Sequence, residues 1–201
     1  YNYSTTRRVT LTEMINHSKS VRMGVKKSLM VFDMPYKTYS TKNLALKNAR
    51  KIIKETKCDA VKLEGGKKII KQITYLTQNK IPVMGHLGLL PQSIKGSFKS
   101  KGKNTKEIND LLNDALLLQK KGVFAIVLEC VKTAVSKKIT QNLKIPTIGI
   151  GSSINCDGQV LVTDDLIGLN ETNIKFVKKF FNIRKFLNLG IKRFASEVRS
   201  K

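Results

Sequence analysis

The sequence is poor in acidic residues and has no long apolar run, and each shortage excludes a class of protein. Only 14 of the 201 residues are acidic, against 38 lysines and arginines, so the formal net charge is +24. No run approaches the roughly 20 apolar residues of a membrane span. The opening "YNYSTTRRVT" lacks the apolar region of an export signal. We therefore expect a cytoplasmic protein with no membrane partner.

Cysteine is also scarce. Cys58, Cys130 and Cys156 are scattered and form no Cys-x-x-Cys pair. Such a pattern argues against a disulfide framework or a zinc site, and is typical of a reducing compartment. We expect free thiols packed in the core.

The positive charge has two interpretations, a nucleic-acid interface or a solvated surface in a lysine-rich chain. The lysines are spread over many segments, as in "KNARKIIKETK", "KKIIKQ" and "IKFVKKFF". No basic motif with interleaved aromatic residues is present. The pattern favours a solvated surface, so specific nucleic-acid binding is not expected. A basic, non-catalytic nucleic-acid-binding protein is kept as an alternative.

Short apolar runs alternate with amphipathic segments along the whole chain. Apolar runs of this kind are typical of parallel strands that are covered on both faces or closed into a barrel. No Pro/Gly/Ser-rich linker divides them, so residues 1–201 are predicted to form a single domain. Strands are predicted at Ser28–Met34, Ala60–Gly65, Ile81–Gly88, Phe124–Cys130, Ile145–Gly151 and Gln159–Asp165.

Helix signals fill the intervals between these strands. Thr10 with Glu13 matches a capping box, and Thr41 can cap the next helix. Gly122 can end a third helix. The tail from Glu171 to Lys201 is predicted to form one or two helices, with Gly190 as the break.

The chain also contains an internal sequence repeat. "AVKLEGG" is followed by a helix and "KIPVMGHLG", and "AIVLECV" is followed by a helix and "KIPTIGIG". The spacing matches two βα units of about 30 residues each. The repetition favours a closed βα architecture over an open sheet.

Polar residues occur late in several of these strands. Ligands of parallel α/β folds bind at the carboxyl ends of the strands, so these residues are the candidate site. Asp164 and Asp165 are expected to end the last strand. The other candidates are Asp33, Lys62, Glu64, His86 and Glu129.

Strand alternation places Lys62 and Glu64 on one face and Leu63 on the other. In a barrel the two charged residues would face the interior, while Leu63 packs under the helices. The pair is either a structural ion pair or part of a functional site. Asp33, at the end of the neighbouring strand, favours a site for a hard cation such as Mg²⁺.

Together the segments "DMPYKTYS", "AVKLEGG", "IPVMGHLGLLPQS", "FAIVLEC", "IPTIGIGSS" and "CDGQVLVTDDLIGL" resemble the ketopantoate hydroxymethyltransferase family. The resemblance runs over nearly the whole chain. It implies a (β/α)₈ TIM barrel of the phosphoenolpyruvate/pyruvate type. It also implies a cytoplasmic Mg²⁺ enzyme of pantothenate biosynthesis that uses 5,10-methylenetetrahydrofolate as co-substrate and assembles as a homo-oligomer, a decamer in the family.

The same resemblance implies roles for the candidate residues. Asp33 would bind the metal and the 2-oxo acid, and Glu64 would be a second metal ligand. Lys62 would bind the 2-oxo acid. Glu129 would be the catalytic base, with His86 as a supporting group.

The sequence departs from the family at several points. Family members carry two further strands before the point that matches Tyr1, and the second of these ends in an Asp-Ser pair at the metal site. We therefore expect a barrel whose first two strands are missing from this chain, as in an incomplete copy of the enzyme. A related Mg²⁺-dependent lyase or mutase acting on 2-oxo acids remains the alternative enzyme.

Overall fold

The structure is a computed structural model that describes residues 5–93, 99–170, 177–178 and 180–200. Its internal contacts divide the chain into two compact units, Tyr1–Gln159 and Val160–Lys201. The candidate site lies entirely within the first unit. The single-domain organisation stays a prediction.

The first unit is built on one parallel sheet whose six strands are hydrogen-bonded in sequence order, β1 to β6. Every neighbouring pair is parallel, so all carboxyl ends of the strands meet at one edge. The strands are β1 (Val31–Asp33), β2 (Ala60–Glu64), β3 (Val83–Gly88), β4 (Ala125–Glu129), β5 (Thr147–Ile150) and β6 (Gly158–Gln159).

A helix connects each pair of neighbouring strands from β1 to β5, and a further helix precedes β1. The predicted capping box of Thr10 and Glu13 is present at the start of the first helix, and Thr41 caps the second. Gly122 follows the fourth helix with a φ of 86°. The helices are α1 (Leu11–Gly24), α2 (Lys42–Thr56), α3 (Ile70–Gln78), α4 (Thr105–Lys120) and α5 (Thr133–Asn142).

The prediction of the last strand was wrong beyond Gln159. Val160 and Val162 are 48% and 52% exposed, so the apolar run that suggested a strand is not buried. The Val162 carbonyl instead accepts hydrogen bonds from the N–H groups of Asp165 and Leu166. These bonds start the short helix α6 (Thr163–Leu166), so the two aspartates lie in a helical turn and not at a strand end.

The two faces of the sheet carry different side chains, as the alternation of β2 predicted. Phe32, Val61, Leu63 and Leu128 point to the helix side and are buried in the main core with residues of α1 to α5. The opposite face carries a smaller apolar cluster around Met84, Ala125 and Val127. The charged side chains lie on this same face, where Lys62 is in register with Met84 and His86 with Val127.

Glycines shape the turns at this edge. Gly65 has a φ of 128°, and a Cβ on Gly66 would overlap the Asp114 carboxylate of α4. A Cβ on Gly88 would lie 2.2 Å from the Glu129 carbonyl oxygen. The Gly65–Gly66 pair directly follows β2. In the structure the space beside each glycine is taken by protein atoms, so both are required by the backbone and by helix packing.

The second unit contains α6 and α7 (Ile183–Arg199). The helix α7 runs without a break through Gly190, so of the two predicted alternatives the one with a break at that residue is wrong. Residues 171–176, 179 and 201 of the predicted tail lie outside the described residues. None of the α7 side chains is buried, and Phe186 and Phe194 are more than half exposed.

Candidate active site

Five polar side chains from four consecutive strands meet at the carboxyl edge of the sheet. Asp33 ends β1, Lys62 and Glu64 lie in β2, His86 lies in β3 and Glu129 ends β4. The register pairs Asp33 with Lys62 and Glu64 with His86. The structure thus brings together five of the seven candidates, while Asp164 and Asp165 lie in the helix α6 of the second unit.

Lys62 is the centre of the arrangement. Its Nζ lies 2.9 Å from Asp33 Oδ1 and 3.0 Å from His86 Nδ1. The Lys62 side chain is 16% exposed, so one side remains open to a ligand. Because lysine has only donors, Nδ1 of the imidazole must accept from Lys62.

His86 links Lys62 to Glu129. The imidazole is 3% exposed, and its Nε2 lies 3.1 Å from Glu129 Oε2. Burial lowers the pKa of His86, so the neutral form is favoured. Since Nδ1 accepts from Lys62, the network assigns the proton to Nε2, which faces the Glu129 carboxylate.

Glu64 lies beside this chain and is buried. Its Oε2 accepts a hydrogen bond of 3.0 Å from the backbone N–H of Gln92. Burial raises the pKa of Glu64 to about 7, helped by the charges of Asp33 and Glu129, while Lys62 and the Gln92 hydrogen bond act in the opposite direction. A carboxyl group held so far from its ordinary pKa of about 4.3 is typical of a functional site.

The backbone around Glu129 is tightly fixed. Its carbonyl accepts a hydrogen bond of 2.7 Å from the N–H of Leu89, just after β3. The next residue, Cys130, has a left-handed φ of 51° and donates its N–H to Ile150. Cys130 is buried, and burial raises the pKa of its thiol to about 11, so it is not a thiolate nucleophile.

The residues at this edge fit a hard cation that keeps several waters. Asp33 Oδ1 is buried and has no hydrogen-bond partner of acceptable geometry among the described residues. Glu64 supplies a second carboxylate. Mg²⁺ is commonly bound by one or two carboxylates plus water and substrate oxygens. In the part of the chain that the structure describes, no group of three or more His, Cys, Asp or Glu residues is arranged to hold a metal without such added ligands.

Two residues of this region were missed in the sequence. Gln92 and Tyr39 are both buried, and the Tyr39 hydroxyl lies 3.3 Å from Gln92 Oε1. Neither ends a strand, so the rule that located the charged residues could not find them. Gln92 does lie within "GHLGLLPQS", one of the segments that carried the family resemblance.

The parallel sheet with polar side chains at its C-terminal edge defines the chain as a protein of the α/β-barrel class. Its fold is similar to that of 2,3-dimethylmalate lyase, a member of the PEP mutase/isocitrate lyase superfamily, with a TM-score of 0.54 and 10% identity over 71% of this chain and 51% of that one. A lyase/mutase-type protein of Burkholderia cenocepacia J2315 has a TM-score of 0.55 at 10% identity, covering 96% of this chain and 69% of that one. These similarities show the fold alone.

Sequence comparison then gives the family. The family model of ketopantoate hydroxymethyltransferase matches residues 1–201. The 3-methyl-2-oxobutanoate hydroxymethyltransferase of Pelagibacter ubique (strain HTCC1062) is 60% identical over 100% of this chain and 78% of its own length. That of Clostridioides difficile (strain 630) is 47% identical over 94% of this chain and 70% of its own. The chain belongs to the ketopantoate hydroxymethyltransferase family, a family of transferase enzymes.

In the described residues, none of the helices has both the length and the apolar character needed to cross a membrane.

Proposed function

We propose that this chain transfers a hydroxymethyl group from 5,10-methylenetetrahydrofolate to 3-methyl-2-oxobutanoate, giving 2-dehydropantoate for pantothenate biosynthesis. The observation that carries the proposal is the continuous row of contacts from Asp33 through Lys62 and His86 to Glu129. The row places a cation in the middle and a carboxylate at each end. Deprotonation beside a carbonyl group needs such an arrangement, a base at one point and positive charge at another.

Asp33 and Glu64 would hold Mg²⁺. When bound, the ion stabilises the negative charge that develops on the keto oxygen of the 2-oxo acid. Asp33 Oδ1, which is buried without a hydrogen bond of acceptable geometry, and the desolvated Glu64 carboxyl group support this assignment, because both gain from a cation.

Lys62 would bind the 2-oxo acid. Its Nζ is held between Asp33 and His86, so it donates from a fixed position and loses little freedom when the substrate arrives. The same ammonium group adds positive charge near the developing enolate oxygen.

Glu129 would take the proton from C3 of the 2-oxo acid. His86 would hold the carboxylate through Nε2–H, which lies 3.1 Å from Glu129 Oε2 without acceptable hydrogen-bond geometry. Catalytic hydrogen bonds often align only in the substrate complex. The C3 carbanion then forms a bond to the methylene carbon, and both bonds from this carbon to the folate nitrogens break. One water molecule supplies the hydroxyl oxygen, and one proton from that water and the proton taken from C3 end on the two folate nitrogens.

The proposal also includes a homo-oligomeric state and a location in the cytoplasm. Both follow from the family resemblance and from the sequence composition. A mass measurement of the purified protein in solution would test the first.

The test has two stages, which separate this reaction from that of a lyase or mutase. First, exchange of the C3 hydrogen of 3-methyl-2-oxobutanoate for deuterium is followed by NMR with Mg²⁺ and without folate. Second, 5,10-methylenetetrahydrofolate is added and formation of 2-dehydropantoate is measured. We expect both reactions. Exchange without product would contradict the folate-dependent transfer.

Two variants make the test specific for the base. Glu129→Gln should slow the exchange by about 10² to 10⁴-fold, the usual contribution of a general base. Glu55→Gln is the matched control, because Glu55 pairs with the exposed Lys19 and Lys51 on the protein surface. Unchanged exchange in Glu129→Gln would remove Glu129 as the base.

A further inference from the structure

Gln92 is a buried polar residue that uses three of its groups to connect two loops. Its backbone N–H donates to Glu64 Oε2 at 3.0 Å. Its side-chain Nε2 donates to the Met34 carbonyl at 3.0 Å, and its Oε1 accepts from the Tyr39 hydroxyl at 3.3 Å. Gln92 thereby connects the loop after β3 to the loop after β1 through side-chain hydrogen bonds, and to the Glu64 carboxylate of β2 through its backbone N–H.

The geometry is that of a support for Glu64. The direction of a backbone N–H is set by the conformation of the turn to which it belongs. Here the turn, which is closed by the Ser93 N–H to Leu90 carbonyl bond, is anchored by the buried amide of Gln92. With Oε2 of Glu64 occupied by Gln92, the carboxylate is fixed and its second oxygen remains for another partner.

Tyr39 completes the support from the other loop. Its ring is buried, and burial together with the negative charge of Glu64 keeps the pKa of the phenol above its usual range. The hydroxyl therefore stays protonated and can donate to Gln92. Met34 and Tyr39 lie one residue and six residues after Asp33, so the same loop also follows the other carboxylate of the site.

We infer that Gln92, held by Tyr39 and by the Met34 carbonyl, is a positioning residue that fixes Glu64 for cation binding. The inference rests on the proposed function, in which Asp33 and Glu64 hold the metal. Loss of a group that forms a hydrogen bond to a metal ligand and orients it typically lowers metal affinity by about 10- to 100-fold. A purely structural role would predict a loss of stability without a specific loss of affinity for the cation.

The test compares cation binding with stability in four proteins. Binding of Mn²⁺ in the absence of substrate is measured at pH 8 by the decrease of the EPR signal of free Mn²⁺, and the melting temperature is recorded in EDTA. The proteins are the unsubstituted chain, Gln92→Met, Tyr39→Phe and Thr77→Val. Methionine has a similar volume to glutamine but no donor, and it keeps the backbone N–H in place.

Thr77→Val is the matched control. Thr77 Oγ1 donates at 2.8 Å to the Lys121 carbonyl, a comparable tie between two elements at the opposite end of the strands. Its loss should lower the melting temperature and leave Mn²⁺ affinity unchanged.

We expect Gln92→Met to weaken Mn²⁺ binding by about 10- to 100-fold. Tyr39→Phe, which removes one neutral hydrogen bond, should weaken it by about two- to tenfold. A fifth protein, which carries both Gln92→Met and Tyr39→Phe, should lose less Mn²⁺ affinity than the product of the two single losses. Both changes remove the same hydrogen bond, so their effects are not independent. Tyr39→Phe alone keeps the test decisive if Gln92→Met does not fold.

Equal affinity in the unsubstituted chain, Gln92→Met and Tyr39→Phe would overturn the role of Gln92 and leave the proposed metal site intact. A similar loss of Mn²⁺ affinity in Thr77→Val would also overturn the role of Gln92, because the loss of affinity would then result from lower stability in general. An unsubstituted chain that binds no Mn²⁺ would overturn the metal assignment itself, and with it this role.

Discussion

Replacing Glu64 by glutamine should stabilise the cation-free protein at neutral and alkaline pH while removing its cation site. Glu64 is 5% exposed, and burial raises the pKa of its carboxyl group from an ordinary value of about 4.5 to about 7. In the unfolded chain the group ionises near pH 4.5. Between these two values the folded protein binds the additional proton, so stability falls as the pH rises.

The magnitude follows from the shift. A shift from 4.5 to about 7 corresponds to a loss on the order of 3 kcal/mol in the free energy of unfolding, fully present above pH 7. Glutamine carries no charge and can still accept the Gln92 N–H bond. The difference in stability between Glu64→Gln and the unsubstituted protein should therefore be small near pH 4.5, increase towards pH 7 and then level off.

The assay is urea unfolding in EDTA at pH values from 5 to 9, with the two proteins compared at each pH so that other titrating groups cancel. Adding Mg²⁺ at pH 8 should then stabilise only the unsubstituted protein, because a ligand that binds the folded state alone favours that state. A stability difference that stays flat from pH 5 to 9 would refute the reasoning. It would show that the Glu64 carboxylate is already ionised at no cost in the folded protein.

Two further predictions concern Lys62 and Gly88. Lys62→Met removes a cation that lowers the pKa of Glu64, so the pH at which Mn²⁺ binds should move upward in an EPR titration; an unchanged midpoint would contradict this coupling. Gly88→Ala should cost about 3 kcal/mol in urea unfolding, because φ is 97° and the new Cβ would meet the Glu129 carbonyl oxygen. Gly190→Ala, whose Cβ would meet nothing within 4 Å, should instead stabilise α7 by about 0.5 to 1 kcal/mol, and equal effects at both glycines would refute the steric argument.

The sequence predicted the strands best where burial on both faces leaves a continuous apolar run. β2, β3 and β4 agree with their predicted ranges to within two residues at either end. Residues 159–165 carried a similar apolar run, and there the prediction failed. Local pattern alone could not show that Val160 and Val162 are about half exposed, because that depends on which elements cover them.

The candidate site was predictable because its charged residues obey two simple rules. They follow apolar runs, and those in β2 alternate with a buried leucine, so Lys62 and Glu64 were placed on one face correctly. The supporting residues obey neither rule. Gln92 acts partly through its backbone N–H, a group that every non-proline residue has, and its partners are far away in sequence. Only the folded arrangement of the loops could reveal it.

The alternation in β2 also limits how this protein can vary over evolutionary time. A single residue inserted or deleted inside the strand, between Ala60 and Lys62, would reverse the faces. Leu63 would then point to the ligand side, and both charged side chains would point into the helix-covered core. A comparable change in the loop that precedes the strand would move no side chain across the sheet. Length variation among descendants of this gene should therefore accumulate between the strands and be nearly absent from residues 60–64.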